Sequence, residues 1–236
     1  MVKKFKVKIF ADGADLKSIK KLNKNNYIKG FTTNPSLMRK AGISDYRKFA
    51  KSVLKIVKNK PVSFEVFADD AKNMIIQGKK INDWGKNVYV KVPLTNSDGK
   101  FMGQVIKTLN SKKIKLNITA VYTAKQTKQI LKKINKKTEV IISIFAGRMA
   151  DTGKDPIPEL KKSLGISKSY KNVKILWASV REPYNFIQAK QLGCHIITVP
   201  PAIIEKIEKF GKSFNELTID TVKGFLKDSR KSNFQI

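Results

Sequence analysis

The sequence predicts a closed (β/α)8 barrel of the TIM-barrel class with a C-terminal helical extension. Short, near-continuously apolar strand segments alternate eight times with helical segments, the pattern of a parallel sheet covered by helices. The total of 236 residues matches the size of eight such units. The competing open, doubly wound sheet lacks its signature, since no Gly-x-Gly-x-x-Gly or P-loop follows any strand. No shift in composition marks a linker. Residues 1–236 therefore read as one domain, with 212–236 as the extension.

In chain order, Phe5 to Ala11 alternates apolar and polar residues and is the first strand, ended by Asp12-Gly13. Asp15 to Lys24 carries helical spacing through Leu16, Ile19 and Leu22. Ile28 to Thr33 is the second strand, running into Asn34-Pro35-Ser36. Asp45 to Val57 is a helix, with Phe49, Val53, Leu54 and Val57 on one side. A third strand starts at Val62 and ends near Glu65, and Ala71 to Trp84 is helical. The fourth strand lies in Asn87 to Thr95. Gly103 to Leu109 is a helix, Lys115 to Val121 a strand, and Lys125 to Ile134 a helix. The sixth strand, Glu139 to Phe145, is closed by Ala146-Gly147-Arg148. Pro158 to Leu164 is a short helix, Val173 to Val180 a strand and Tyr184 to Leu192 a helix. Cys194 to Val199 is the last strand, stopped by Pro200-Pro201. Helices over Ile203 to Phe210 and Phe214 to Asp228 complete the chain.

Composition narrows the functional classes. The net charge is +31, which by itself points to nucleic acid or an anionic membrane surface. The lysines are nevertheless spread singly or in pairs, such as Lys20-Lys21 and Lys132-Lys133, with no block of five or six like charges. No helix-turn-helix, zinc-finger or RNA-binding signature accompanies them. Small anionic substrates such as sugar phosphates would be drawn to this surface. Cys194 is the single cysteine, so no intramolecular disulfide can form, and its apolar setting marks a packed thiol. His195 is the single histidine, which excludes a histidine-rich metal site. Neither a signal-peptide core nor an apolar run of about 18 residues is present, so a cytoplasmic protein without membrane association is expected.

One lysine stands out. In Val88-Tyr89-Val90-Lys91-Val92-Pro93 the valines share one strand face and Tyr89 and Lys91 the other. With both faces covered, Lys91 points into the interior, where an ammonium is costly unless paired. Barrels of this class place reactive groups at the C-terminal strand ends. Those ends carry Asp12, Asn34, Glu65, Lys91, Asn117 with Thr119, Ser143 with Phe145 and Arg148, and Ser179 with Arg181. Singly each has a blander reading: Asp12 as a helix cap, Asn34 before Pro35 as a turn residue. Together they have a chemical logic. A buried lysine condenses with a ketone to an imine, an electron sink that lets a neighbouring C–C bond break. Carboxylates, a hydroxyl and a water supply the proton transfers. Arg148 and Arg181 offer planar forks for a phosphate, and Ser179 a hydroxyl.

These residues sit in Gly30-Phe31-Thr32-Thr33-Asn34-Pro35-Ser36, Val90-Lys91-Val92-Pro93, Asn117-Ile118-Thr119-Ala120-Val121-Tyr122 and Ile142-Ser143-Ile144-Phe145-Ala146-Gly147-Arg148. In these motifs the chain resembles the transaldolase family, particularly its small-subunit branch with the fructose-6-phosphate aldolases. The resemblance implies Schiff-base chemistry without metal or organic cofactor. It implies Lys91 as the imine-forming residue, Asp12 as acid/base, and Glu65 with Thr119 as holders of the water used in imine formation. Thr32, Asn34 and Asn117, helped by Ser143, would bind substrate, Phe145 would pack beside the intermediate, and Arg148, Ser179 and Arg181 would take the phosphate. A homo-oligomer is implied in the same way.

The aldolase branch typically has glutamine where Glu65 stands and tyrosine where Phe145 stands. The expected reaction is therefore transfer of a dihydroxyacetone unit from a ketose phosphate to an aldose phosphate, as in the pentose phosphate pathway. A fructose-6-phosphate-type or deoxyribose-phosphate-type aldolase is the alternative, and a basic nucleic-acid-binding barrel the distant one. The chain departs from the family pattern at Gly13-Ala14-Asp15, at Ile144 and at Ser179-Val180-Arg181-Glu182-Pro183, which leaves the donor and acceptor sugars open.

Overall fold

In a computed structural model, residues 7–232 are described. Strands β1 (Lys8–Asp12), β2 (Ile28–Thr32), β3 (Val62–Glu65), β4 (Val88–Pro93), β5 (Leu116–Val121), β6 (Val140–Phe145), β7 (Val173–Ala178) and β8 (Ile196–Val199) form one closed parallel barrel in sequence order. Closure comes from β1 on β8, with Lys8 opposite Ile196 and Ala11 opposite Val199. The helices are α1 (Leu16–Asn23), α2 (Pro35–Lys40), α3 (Tyr46–Ile56), α4 (Ala71–Asn82), α5 (Gly103–Ser111), α6 (Ala124–Leu131), α7 (Ala146–Ala150), α8 (Ile157–Ser167), α9 (Tyr184–Leu192), α10 (Pro201–Ile207) and α11 (Phe214–Ser232). The expected start of the first strand at Phe5-Lys6 lies outside the described residues.

Local chemistry fixes the helix starts. Asp15, Asn34, Asp45 and Asp70 each accept a backbone N–H three residues on, satisfying a donor the first helical turn leaves open. Thr123 and Gln126 form a full capping box on α6. Gly193, at φ +78°, closes α9 in the left-handed region.

The alternation expected in β4 is present. Val88, Val90 and Val92 belong to the outer core between sheet and helices, whereas Tyr89 joins Phe10, Ile141, Leu176, Ala178 and Ile196 inside the barrel. Gly30 makes room there: a Cβ would stand 2.6 Å from the Phe10 ring. Each branched aliphatic side chain buried in the outer core contributes about 1.5–3 kcal/mol. That core is large enough for the top of the barrel interior to be polar.

Several boundaries differ from expectation, each for a visible reason. Asn34-Pro35 begins a helix rather than a turn: Pro35 occupies the first helical position, where its missing N–H costs nothing. Ala146-Gly147-Arg148 likewise enters α7. The strand β7 stops at Ala178 because Ser179 takes φ +65°, outside the extended region. Residues Cys194 and His195 precede β8. There the His195 amide donates to Ile175 O at 3.1 Å, and its Nδ1 accepts from Ile175 N at 3.0 Å. Cys194 is buried, as expected. No residue of α11 is buried, and Phe214, Leu217, Ile219, Val222, Phe225 and Leu226 are exposed.

Candidate active site

Lys91 sits in the middle of the polar end of the barrel. It is only 7% exposed, and its Nζ donates to Thr33 O at 2.6 Å and lies 3.3 Å from Glu65 Oε2. The pairing follows from register, since Glu65 at the end of β3 stands directly opposite Lys91 on β4. Thr119, on β5 opposite Pro93, donates its hydroxyl to Glu65 Oε1 at 3.3 Å. One carboxylate thus links the lysine to a hydroxyl. Ala120, at φ +56°, forms a bulge between Ile118 and Val121 directly after Thr119. A non-glycine residue in this conformation is strained, and bulges re-aim side chains beside sites.

Asp12 ends β1. Its Oδ1 accepts the Thr32 hydroxyl at 2.8 Å, and Thr32 Oγ1 meets Thr198 Oγ1 at 2.5 Å. Burial pushes the Asp12 carboxyl above the usual carboxylate range. The charge of Lys91 and the Thr32 hydrogen bond pull it back in part, and Glu65 adds to the rise. Two carboxyl groups therefore flank one ammonium, one of them held toward its neutral form. A separate chain of bonds crosses the inner face of β4: Ser143 Oγ donates to Asn117 Oδ1 at 2.7 Å, and Asn117 Nδ2 donates to Ser63 Oγ at 3.1 Å.

Asn34 lies at this end, but its Oδ1 is engaged as the cap of α2, accepting Leu37 N at 2.9 Å. Phe145, the last residue of β6, meets Tyr122 edge-on at 6.1 Å, with the Arg148 guanidinium 5.9 Å from its ring centre. Arg148 is exposed. The open fork expected of Arg181 is instead occupied: Nε donates to Asp151 Oδ1 at 3.0 Å and Nη2 to Oδ2 at 2.5 Å. Asp151 is the C-cap of α7, three residues after Arg148, so one short helix and its cap carry a phosphate candidate and the carboxylate that competes for the other. Gly147 allows this approach, because a Cβ there would fall 1.7 Å from Ser179 O. A cavity of about 300 Å³ beside the barrel includes Asp12, Asp15, Leu37 and Pro200 in its wall but not Lys91 or Glu65, so it flanks the centre.

The sequence reading missed Ser63, Thr198 and Asp151. Alternation could have found the first two, as polar residues on inward strand positions. Nothing local marks Asp151 as the partner of Arg181. Among the described residues no three His, Cys, Asp or Glu side chains converge as metal ligands, and no helix is long and apolar enough to cross a membrane.

A closed (β/α)8 barrel whose C-terminal mouth holds a buried lysine paired with the Glu65 carboxylate, beside a buried Asp12, defines an enzyme of the aldolase and transferase kind. The chain belongs to the transaldolase/fructose-6-phosphate aldolase family, whose model it matches over residues 9–236. A relative from Nitrosopumilus maritimus, named "Probable transaldolase", is 36% identical over 95% of this chain and 96% of its own length. One of the same name from Sulfurihydrogenibium is 35% identical over 94% and 96%. A third, from Thermoanaerobacter, is 32% identical over 98% and 100%. A solved structure from Coccidioides immitis, described within the dihydrodipicolinate synthase family, aligns at 14% identity with TM-score 0.55, covering 84% of this chain and 68% of that one, and shares the fold alone.

Proposed function

We propose that the protein is a transaldolase that works through an imine on Lys91. The observation that carries this is the bridge from Lys91 Nζ through the Glu65 carboxylate to the Thr119 hydroxyl, beside a buried Asp12. After losing a proton, Lys91 Nζ attacks the ketose carbonyl carbon, and the carbinolamine loses water to give the protonated imine. Glu65 and Thr119 hold the water and pass its protons. Asp12 takes the proton from the hydroxyl on the far carbon of the bond that cleaves, and that carbon becomes the aldehyde of the leaving aldose. The C–C electron pair moves into the imine, the aldose phosphate leaves, and a dihydroxyacetone enamine remains. That enamine carbon then attacks an acceptor aldehyde, Asp12 returns its proton, and hydrolysis frees Lys91.

Asn117, positioned by Ser63 and Ser143, together with Thr32 and Asn34, is suited to sugar hydroxyls. Arg148, Ser179 and Arg181 are suited to the phosphate, which competes with Asp151 for the Arg181 fork. The scheme needs neither a metal nor an organic cofactor. A role in the pentose phosphate pathway and a cytoplasmic setting go with this reading. So does a homo-oligomer, supported by the exposed apolar residues of α11. Acceptor-independent cleavage is the second reading within the family, and Glu65 and Phe145 favour transfer over it.

The deciding experiment is borohydride reduction in the presence of fructose 6-phosphate, followed by peptide mass mapping. A reduced dihydroxyacetone adduct on Lys91 is expected. No adduct, or one on another lysine, overturns the mechanism. Release of free dihydroxyacetone without an acceptor aldose would favour the aldolase.

A further inference from the structure

The ladder between β2 and β3 is short. It pairs Phe31 with Val62 and Thr32 with Ser63, and Phe31 N donates to Pro61 O at 2.8 Å. One more step of a parallel register would set the Glu65 amide on Thr33 O. The structure exchanges both partners. Glu65 N donates instead to the Tyr46 hydroxyl at 2.7 Å, and that hydroxyl donates to Glu65 O at 3.0 Å. Thr33 O, left out of the ladder, accepts Lys91 Nζ at 2.6 Å.

We propose that Tyr46 is a positioning residue for Lys91: its hydroxyl takes the Glu65 amide that the ladder would give to Thr33, and so leaves the Thr33 carbonyl free to orient the lysine. This rests on the reading of Lys91 as the imine-forming residue. Both acceptors of Lys91 then depend on one phenol. It holds the backbone of Glu65, whose carboxylate is one acceptor, and keeps open the gap that presents Thr33 O, the other.

Tyr46 is suited to the task. As the first residue of α3, behind the Asp45 cap, it enters from outside the barrel. Its ring is wedged against Phe67 at 4.6 Å, Trp84 at 5.2 Å and Phe64 at 6.2 Å, which fixes the direction of the hydroxyl. Burial pushes the phenol well above its usual range, so it stays protonated and keeps its donor for Glu65 O. A hydroxyl that both accepts from and donates to one residue's backbone replaces a strand neighbour at that residue alone. Phenylalanine would fill the same space and offer neither bond.

The test uses the full-length protein, with Tyr46→Phe and, as a packing control remote from the site, Leu160→Ala. Each is assayed for the single-turnover rate of borohydride-trapped adduct at saturating fructose 6-phosphate, for KM and for thermal midpoint. Tyr46→Phe should slow trapping about tenfold while KM stays within about twofold, as expected when a bond that orients the nucleophile is lost. Leu160→Ala should lower the midpoint and leave trapping unchanged. A wild-type trapping rate in Tyr46→Phe, or slowing in both variants in proportion to lost stability, overturns the role. If Tyr46→Phe does not fold, a fluorinated tyrosine at position 46 replaces it. Trapping should then slow as the more acidic phenol ionises, and a pH profile matching the wild type overturns the proposal. Failure of the wild-type protein to trap on Lys91 at all would remove the imine reading itself, a distinct outcome.

Discussion

Glu65 Oε2 stands 3.3 Å from Lys91 Nζ because β3 and β4 place the two residues directly opposite each other, and the other carboxylate oxygen accepts the Thr119 hydroxyl. Both side chains of the pair are mostly buried. Attraction inside the barrel is stronger than it would be in water, and so is the penalty for removing one partner. A change at Glu65 therefore falls on a structural charge pair as well as on a chemical group.

Glu65→Gln should lose about 1–3 kcal/mol of stability, because the amide oxygen still accepts a hydrogen bond but the Lys91 charge loses its partner. On the proposed mechanism it should also raise dihydroxyacetone release relative to transfer. Urea denaturation and product analysis with and without an acceptor aldose check the two effects. Unchanged partitioning would remove Glu65 from control of the outcome.

Asp12 gives a pH signature. Its folded-state pKa is raised by burial, so its contribution to stability is fully present below its unfolded value, near 3.8, and is lost as pH rises through the folded value. Asp12→Asn does not ionise. Its stability relative to wild type should therefore improve from pH 4 to pH 7, while transfer activity falls at both. Denaturation midpoints of both proteins across that window measure it, and a relative loss with rising pH contradicts the raised pKa.

Asp151 and Arg181 make opposite predictions. Arg181→Ala should raise KM for phosphorylated ketoses about tenfold and leave unphosphorylated ones little changed. Asp151→Asn releases the Arg181 fork and should lower KM for the phosphorylated substrate. Steady-state kinetics on phosphorylated and free sugars tests the pair. Equal changes for both substrates would take Arg181 out of phosphate recognition.

Gly147→Ala should be disproportionately disruptive for one added methyl. Its Cβ would meet the Ser179 carbonyl, a backbone atom with no room to yield, and lies 3.0 Å from Arg181 Cγ. A loss of at least about 2 kcal/mol is expected, together with poorer discrimination between phosphorylated and free sugars. Thermal denaturation and the same kinetics measure this. A neutral substitution would show that α7 and the β7–α9 loop move independently.

The sequence by itself determined the barrel and the chemical character of its mouth. Alternation in Val88-Tyr89-Val90-Lys91-Val92 assigns the lysine to the inner face, and the strand ends carry Asp12, Glu65, Asn117, Thr119 and Ser143 to one mouth. Those inferences rest on period and order along one segment, which the chain carries locally. Tertiary structure alone decided the pairings. Thr32 meets Thr198 across 166 positions of sequence, and Arg181 meets Asp151 across 30. Tyr46 displaces Thr33 from Glu65 where two strands stop pairing. Such contacts depend on register, closure of β1 on β8 and the strained turns at Ala120 and Ser179. Local propensity specifies which residues reach the barrel mouth. Which of them touch is set when the cylinder closes, because only then do segments distant along the chain share one interior.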